Sequence, residues 1–246
     1  MKPLRVEETD HVVTAVIQRP EAMNAINFEL MECLEELADS LSASSEARLF
    51  VLTGSNNSFI SGGDLREFHQ LETAEQARKM TKRMLRLLSQ IKELPFWTMA
   101  ALNGATYGGG WEIAAAFDFR VAETGVKIGF TQGKFYLPPG WGGVTSLSRL
   151  IPKQKALYWL ASQRVISAEE AHQAGFIDDL LDTDSYSDSL SAIIRNLTRN
   201  DRAFIEYLKK SVHFGSPDEE IEPFSLFWES EEHRNRVQAF LDRKKS

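Results

Sequence analysis

Two glycine-rich stretches carry the residue types that could do chemistry in this chain. "SGGDL" places Gly63 directly before Asp64, and "GGGWEI" places Gly109 three residues before Glu112. Glycine lets a backbone come close to a ligand, and free N–H groups at the start of a helix attract negative charge. One N–H group from each stretch could hold one oxygen atom between them, which is the arrangement of an oxyanion hole.

Glu112 has two interpretations at this stage. An acid in the first turn of a helix can simply cap the N–H groups there. Alternatively, its carboxylate points into a cleft beside the oxyanion hole, where the helix start lowers its pKa and favours the carboxylate form. An ionised carboxylate serves as a base or holds a water molecule. The pattern leaves both interpretations open, and the glycines can likewise serve only close packing of a helix on a strand.

Other glycine, nucleophile and metal sites do not fit the spacing. The chain has no G-x-G-x-x-G fingerprint, no G-x-x-x-x-G-K-[ST] loop and no G-x-S-x-G elbow. Its five histidines are scattered and Cys33 is its single cysteine, so a metal site has no support and an internal disulfide is excluded. The glycine stretches therefore remain the strongest candidates for a site.

The elements around the two stretches alternate between strand and helix. Strands are predicted at "HVVTAVIQ", "ARLFVLTG" and "LPFWTMAALNG", and helices over residues 27–43 and 73–91. "NNSFISGGDL" is expected to be a loop. This order predicts parallel strands with helical crossovers, so both glycine stretches would lie at the carboxyl edge of a sheet, where ligands bind. From residue 153 to residue 245 almost everything is predicted to be helical.

Composition narrows the class of partner. A net charge of −7 argues against a nucleic acid or an anionic membrane as partner. The first twenty residues contain acids and no long apolar run, so we expect neither a signal peptide nor a membrane anchor. Cys33 lies in a helical pattern, where buried packing is its expected role, and one lone cysteine suits a reducing compartment. We therefore expect a cytoplasmic protein.

Six segments in order resemble the crotonase family, also called the enoyl-CoA hydratase/isomerase family. They are "VIQRPEAMNAINFELMECL", "VLTGSNNSFISGGDLREF", "ALNGATYGGGWEIAAAFDFRVA", "PPGWGGVTSLSRLI", "ISAEEAHQAGFIDDLL" and "VQAFLDRKK". Each is weak alone, but six in the family's order, spread along nearly the whole chain, make a strong signal.

The resemblance implies a fold, an assembly and a substrate class. The fold is α/β, a spiral of β-β-α units with a helical C-terminal part, which replaces the plain doubly wound sheet that parallel strands with helical crossovers would otherwise form. It implies a spiral core at residues 1–190 and a helical trimerisation segment at 191–246, giving a homotrimer or a homohexamer. The implied substrate is an acyl-CoA thioester, so coenzyme A enters with the substrate and no separate cofactor is expected.

The resemblance also assigns roles to individual residues. The two oxyanion-hole donors fall on the amides of Gly63 and Gly109, and Glu112 becomes the acid–base residue, set over the carbon next to the thioester. Residues 68–77 and 135–137 are expected to shape the acyl pocket. The implied substrate-binding residues are Ala22, Ala25, Ser61, Asp64, Leu65, Gln132, Pro139, Trp141 and Lys209.

One departure from the family's pattern leaves the reaction open. Hydratases of the family use a second glutamate, whose position, seven residues before Pro139, holds Gln132 here. Glutamine cannot shuttle a proton near neutral pH, which puts hydration by two glutamates in doubt. Three functions stay open. The first is an enzyme of hydratase or isomerase type with Glu112 as the proton-handling group. The second is a decarboxylase of a branched malonyl-CoA, which Trp141 in "PGWGG" suggests by resemblance, and the third is an acyl-CoA-binding protein without turnover.

Overall fold

The computed structural model describes residues 2–243, apart from the side chains of residues 213 and 214, and the end of the sixth family segment at residues 244–246 lies outside the described residues. Ten strands are found in this part of the chain. They are β1 (Leu4–Thr9), β2 (Val12–Ile17), β3 (Leu49–Gly54), β4 (Ser58–Ile60), β5 (Trp97–Leu102), β6 (Ala105–Tyr107), β7 (Phe119–Glu123), β8 (Lys127–Gly129), β9 (Val165–Ser167) and β10 (Asp179–Leu181).

Helices connect and cover these strands. They are α1 (Phe28–Ala43), α2 (Leu65–Phe68), α3 (Ala74–Glu93), α4 (Gly109–Ala114), α5 (Gly143–Leu150), α6 (Lys153–Ala161), α7 (Ala168–Gln173), α8 (Tyr186–Leu197), α9 (Arg202–Phe214), α10 (Ile221–Glu229) and α11 (Glu231–Arg243). The two long predicted helices begin where their capping residues are. The Asn27 side chain caps α1, and Thr73 forms a capping box with Gln76 at the start of α3.

The strands form two sheets that the chain visits in turn. The larger sheet has the order β1-β2-β3-β5-β7-β10, and the smaller has the order β4-β6-β8-β9. The chain runs from β3 to β4 and then into helices, from β5 to β6 and then α4, and from β7 to β8. This repetition is the predicted spiral of β-β-α units, so the expected fold class is confirmed.

Three short strands correct the sequence prediction. Residues 58–60 form β4 inside the segment predicted as a loop, and β9 and β10 lie in the half predicted to be almost all helical. A strand of three residues is too short to show a periodic pattern. It exists because neighbouring strands supply its hydrogen bonds, as β6 does for β4.

Buried strands at the centre of the larger sheet hold the glycine stretches in place. In β3, Leu49 to Leu52 are all buried, and Trp97 alone of the β5 residues is partly exposed. One core cluster lies between this sheet and helices α1 and α3, where Leu30, Met31 and Met84 are fully buried, and Cys33 packs against its margin. The strands β4 and β6, which lead into the glycine stretches, come directly after β3 and β5, so both stretches are joined to this core.

The last helices differ in how they meet the core. The predicted boundary at residue 190 falls inside α8, whose apolar residues pack on the second core cluster, around Val51 and Met99. In α10 and α11 none of the described residues is buried. Within residues 2–243, no helix combines the length and the apolar character that crossing a membrane requires.

Candidate active site

The two glycine stretches meet at the ends of neighbouring parallel strands. β4 leads into Ser61–Asp64 and β6 leads into Gly108, and the two strands pair in parallel in the smaller sheet. A side-chain carbon placed on Gly62 would lie 3.4 Å from the amide nitrogen of Gly109. The structure thus brings the two stretches into contact, as the sequence predicts.

One amide on each stretch is left without a protein acceptor. The neighbours of Gly63 are engaged, because the Gly62 carbonyl accepts from the Ile26 amide at 2.8 Å and the Asp64 amide donates to the Ile26 carbonyl at 2.7 Å. Gly109 is the first residue of α4, where amides have no intrahelical partner. Among the described residues, neither the Gly63 nor the Gly109 amide donates to a protein oxygen.

The segment before α1 braces the first glycine stretch. Arg19 Nη2 donates to Asp64 Oδ2 at 2.9 Å, and its other terminal nitrogen donates to the Ala25 carbonyl. The Ser61 hydroxyl donates to the Ala22 carbonyl at 3.2 Å. Burial acts to raise the pKa of Asp64, but the hydrogen bonds from Arg19 and from the Arg66 amide outweigh it, so this pKa lies below its ordinary value. Arg19 was missed by sequence reasoning, although it opens the quoted "RPEAMNA" run.

Aromatic rings lie against the two glycines. A side-chain carbon on Gly109 would overlap the Trp141 indole, with Cη2 at 2.8 Å, and one on Gly63 would lie 2.7 Å from the Phe68 ring and 3.6 Å from Trp141 Cη2. The Phe68 and Trp141 rings meet edge to face, with centroids 6.5 Å apart. Glycine is thus required here for the approach of Trp141 and Phe68, in addition to any ligand.

The Glu112 carboxylate faces the loop that carries Trp141. Oε2 accepts from the Trp141 amide at 2.8 Å and the Gly143 amide at 3.0 Å, and Oε1 accepts from the Gly140 amide at 3.3 Å and from Gln132 Nε2 at 3.0 Å. A carboxylate has about four acceptor positions, so these donors occupy all of them. Glu112 is also only 3% exposed.

The environment of Glu112 corrects the expected direction of its pKa. The helix start was expected to lower it, but burial raises the pKa of Glu112 above its ordinary value. The three backbone amides and Gln132 act in the opposite direction and favour the carboxylate. Removing a carboxylate from water is the larger effect here.

The orientation of Gln132 follows from Trp111, a residue that sequence reasoning missed. The Trp111 indole is fully buried and its Nε1 lies 3.1 Å from Gln132 Oε1. An indole N–H can only donate, so Gln132 must turn its oxygen toward Trp111 and its amide nitrogen toward Glu112. The available signal was the tryptophan directly before the acid in "GGGWEI".

Lys209 does not join this site, which corrects its predicted role in binding coenzyme A. Its Nζ donates to Asp118 Oδ2 at 2.6 Å and to the Phe96 carbonyl at 2.9 Å, and the residue is 5% exposed. An ammonium group enclosed in this way is not available to a phosphate. Its neighbour Lys210 is exposed and pairs with Glu206 one turn away.

The other predicted residues surround the glycine stretches at different depths. Ala25 is buried and Ala22 half-buried beside Ser61, and Pro139 is half-buried in the loop before Trp141. Leu65 is 52% exposed at the start of α2, and residues 135–137 are exposed. The structure therefore brings together the amides, Glu112, Gln132, Trp141 and the Ala22–Ala25 segment.

Comparison with known proteins agrees with the motif pattern. The family model described as enoyl-CoA hydratase/isomerase matches residues 7–245. A short-chain-enoyl-CoA hydratase of Clostridium acetobutylicum is 25% identical over 98% of this chain and 95% of its own length.

Solved structures share the fold. An enoyl-CoA hydratase from Bacillus anthracis is 25% identical, with a TM-score of 0.88 over 98% of this chain and 96% of its own. An enoyl-CoA hydratase from Thermoplasma volcanium is 23% identical, with a TM-score of 0.87 over 97% of each chain, and at that identity the likeness concerns the fold alone.

Proposed function

We propose a function from the premise that this chain belongs to the enoyl-CoA hydratase/isomerase family. The protein converts an acyl-CoA thioester through an enolate whose oxygen is held by the Gly63 and Gly109 amides. The observation that carries this proposal is that both amides lack a protein acceptor among the described residues, on touching loops at the ends of neighbouring strands.

The two amides would act on the charge that develops during the reaction. When a proton or a carboxylate leaves the carbon beside the thioester, negative charge moves onto the carbonyl oxygen. Amides held by β4 and by the start of α4 need no reorganisation to stabilise that charge, and losing one such donor typically costs about 10²–10³-fold in kcat. Because coenzyme A is part of the substrate, we propose that no separate cofactor takes part.

A reaction of hydratase or isomerase type is the first candidate. Glu112 carries a carboxyl group next to the glycine loops that, among the described residues, is not paired with a cation as Asp64 is, and its raised pKa brings it closer to the range in which an acid can both give and take a proton. Moving a double bond needs one group that removes a proton and returns it elsewhere, so a single Glu112 suffices. For this step Glu112 must release one of its loop amides.

Decarboxylation of a branched malonyl-CoA is the second candidate, and the state of Glu112 favours it. All four acceptor positions of that carboxylate are occupied, and Gln132 stands where the family's hydratases have a second acid. Loss of CO₂ leaves its electron pair in the enolate, which water then protonates, so no side-chain base is required. Trp141 and Phe68 supply apolar surface that would desolvate the departing carboxylate.

Contacts to coenzyme A are proposed for residues that border the glycine stretches. Ala22, Ala25, Ser61 and Asp64 lie on the braced segment and the first loop. Leu65 and Pro139 lie at the more open margins. The bracing by Arg19 supports a rigid backbone edge there, which suits recognition of an extended ligand by main-chain groups.

Assembly through the C-terminal helices is a further part of the proposal. α10 and α11 expose large apolar side chains, among them Phe224, Trp228 and Phe240. We propose that these helices pack against copies of the same chain in a homotrimer, or in a hexamer made of two trimers.

Two measurements test the chemistry. Crotonyl-CoA, a 3-enoyl-CoA and methylmalonyl-CoA are each incubated with the protein, and mass spectrometry distinguishes addition of water, a positional isomer and loss of CO₂. In parallel, infrared spectra of a bound acyl-CoA should show the thioester carbonyl stretch at lower frequency than in water. An unshifted carbonyl would refute the oxyanion hole, and binding with no product from any substrate would leave a binding protein.

A further inference from the structure

We propose that Trp141 determines which acyl groups the site accepts, and that Glu112 is the positioning residue that holds Trp141 in place. This inference rests on the proposed acyl-CoA chemistry. It concerns the side of the site that lies next to the Gly63 and Gly109 amides. It holds for either proposed reaction of the thioester.

The indole of Trp141 lies against both glycine stretches. Its ring lies against the α-carbon of Gly109 and its Cη2 atom comes within 3.6 Å of a side-chain carbon placed on Gly63. Trp141 therefore reaches both glycines whose amides would hold the thioester oxygen. An acyl group attached to that carbonyl begins within contact distance of the indole.

The loop that carries Trp141 is held in place by hydrogen bonds to one side chain. One carboxylate, on Glu112, accepts from the amides of Gly140, Trp141 and Gly143, and so fixes the chain on both sides of the indole. Gly142 adopts the left-handed conformation, with φ of +85°, which lets the chain turn the Gly143 amide back to the carboxylate. Trp141 itself is only 7% exposed. Its ring is therefore a wall in a defined position.

The surface that Trp141 presents is part of an aromatic cluster. Trp141 meets Phe68 edge to face, and Phe68 in turn meets Phe28 with ring centroids 5.3 Å apart. These three side chains are aromatic and uncharged, so they favour an apolar acyl group. Because the indole is bulky and lies beside the carbonyl, it should favour a short acyl group over a long one.

The experiment measures kcat/KM, or the Kd if turnover is slow, for acyl-CoAs of increasing length in the wild type, Trp141→Phe and Trp141→Ala. We expect the wild type to prefer short chains. Trp141→Ala should raise the long-to-short ratio by at least about tenfold, since each methylene accommodated in an apolar pocket is worth about tenfold or more. Trp97→Phe is the control, because Trp97 packs on Phe119 away from the glycine loops and should leave the ratio unchanged.

Glu112→Gln tests the positioning role by the same ratio, from which any loss in the chemical step cancels. It should move the ratio in the direction of Trp141→Ala, and add little when both substitutions are combined. If the folded Trp141→Ala variant binds acyl-CoA but keeps the wild-type long-to-short ratio, the inference about Trp141 is wrong. If no acyl-CoA of any length binds the wild type, the proposed function itself has failed.

Discussion

At the scale of single residues, Glu112 shows burial and hydrogen bonding acting against each other. Its carboxyl group is almost completely removed from water, which raises its pKa, while three backbone amides and Gln132 stabilise its charge. An acid that only capped its own helix would accept from the first amides of α4. Glu112 instead accepts from the loop before α5 and from Gln132, so it joins two separate parts of the chain.

The pH dependence of stability should reveal the raised pKa of Glu112. A folded-state pKa above the unfolded value of about 4.3 means that the folded protein binds this proton more tightly. The resulting stabilisation is fully present below the unfolded pKa and is lost as the pH rises through the folded pKa. Urea unfolding at successive pH values should therefore show the wild type losing stability relative to Glu112→Gln across that interval. A wild type that gains on the variant would indicate a lowered pKa.

Glu112→Gln should also weaken the loop at neutral pH. A glutamine has one acceptor oxygen, so its amide nitrogen would face backbone N–H groups that it cannot accept from. Leaving a buried donor without a partner costs about 1–3 kcal/mol, and we expect the free energy of unfolding to fall by that order.

The same variant should lose about 10²–10⁴-fold in kcat if Glu112 handles the proton. Wild-type turnover in a folded variant would favour the decarboxylase mechanism.

The contact between Gly109 and Trp141 predicts a coupled pair of substitutions. Gly109→Ala places a methyl group inside the space of the indole, and such overpacking should cost about 1–3 kcal/mol of unfolding free energy. In a Trp141→Ala background most of that cost should disappear, because the ring is gone. Gly140→Ala is the matched control, since its new carbon meets only Thr81 at 3.8 Å. Equal costs for Gly109→Ala in both backgrounds would contradict the contact.

At the scale of elements, Lys209 attaches α9 to the core. Its ammonium group crosses from the helix to Asp118, just before β7, and to the Phe96 carbonyl, just before β5. Asp118 also accepts from the amide and hydroxyl of Thr98, so one carboxylate joins a helix to two strand starts. The pKa of Lys209 is lowered by burial and partly restored by Asp118.

Removing this charge should detach α9 without disturbing ligand binding. Lys209→Met removes the ammonium group that donates to the Asp118 carboxylate, and breaking a buried pair of this kind typically costs about 3–5 kcal/mol. Chemical denaturation should show that loss, while the neighbouring control Lys210→Met, on an exposed pair, should change stability by less than about 1 kcal/mol. A Lys209→Met variant of wild-type stability but weakened acyl-CoA affinity would restore the original prediction for this residue.

At the scale of the whole molecule, the C-terminal helices α10 and α11 expose several large apolar side chains. Phe224 is 60% exposed, Trp228 61% and Phe240 57%, and they lie on adjacent helices α10 and α11. Contiguous apolar patches of this kind mark contact sites between proteins. The remaining large exposed apolar residues of α10 and α11 are Ile221, Leu226, Val237 and Leu241.

Light scattering coupled to gel filtration should give the mass of a trimer or a hexamer. Trp228→Glu should shift the mass toward the monomer, because a charge would have to be buried at the contact. Leu157→Glu is the control, since Leu157 is 67% exposed on α6, outside the C-terminal segment, and it should leave the mass unchanged. A monomeric wild type would refute the proposed assembly.

The features that the sequence determined by itself are those written in neighbouring residues. Strand β3, helices α1 and α3 and both glycine stretches follow from local apolar periodicity, capping residues and glycine positions. The six family motifs and their order in the chain indicated the family and its spiral of β-β-α units. The presence of Gly63, Gly109 and Glu112 in one region also followed, because consecutive strands that run in parallel bring their ends to the same edge.

Only the tertiary structure decided how those residues are used. The short strands β4 and β9 exist through partners distant in the chain, the Glu112 carboxylate binds amides 28 to 31 residues away, and Lys209 meets Asp118 across 91 residues. Burial and hydrogen bonding set the pKa of Glu112 and the availability of Lys209, and both depend on groups that no local pattern names. A sequence window shows which side chains are present, whereas their solvent exposure and their partners are properties of the folded chain.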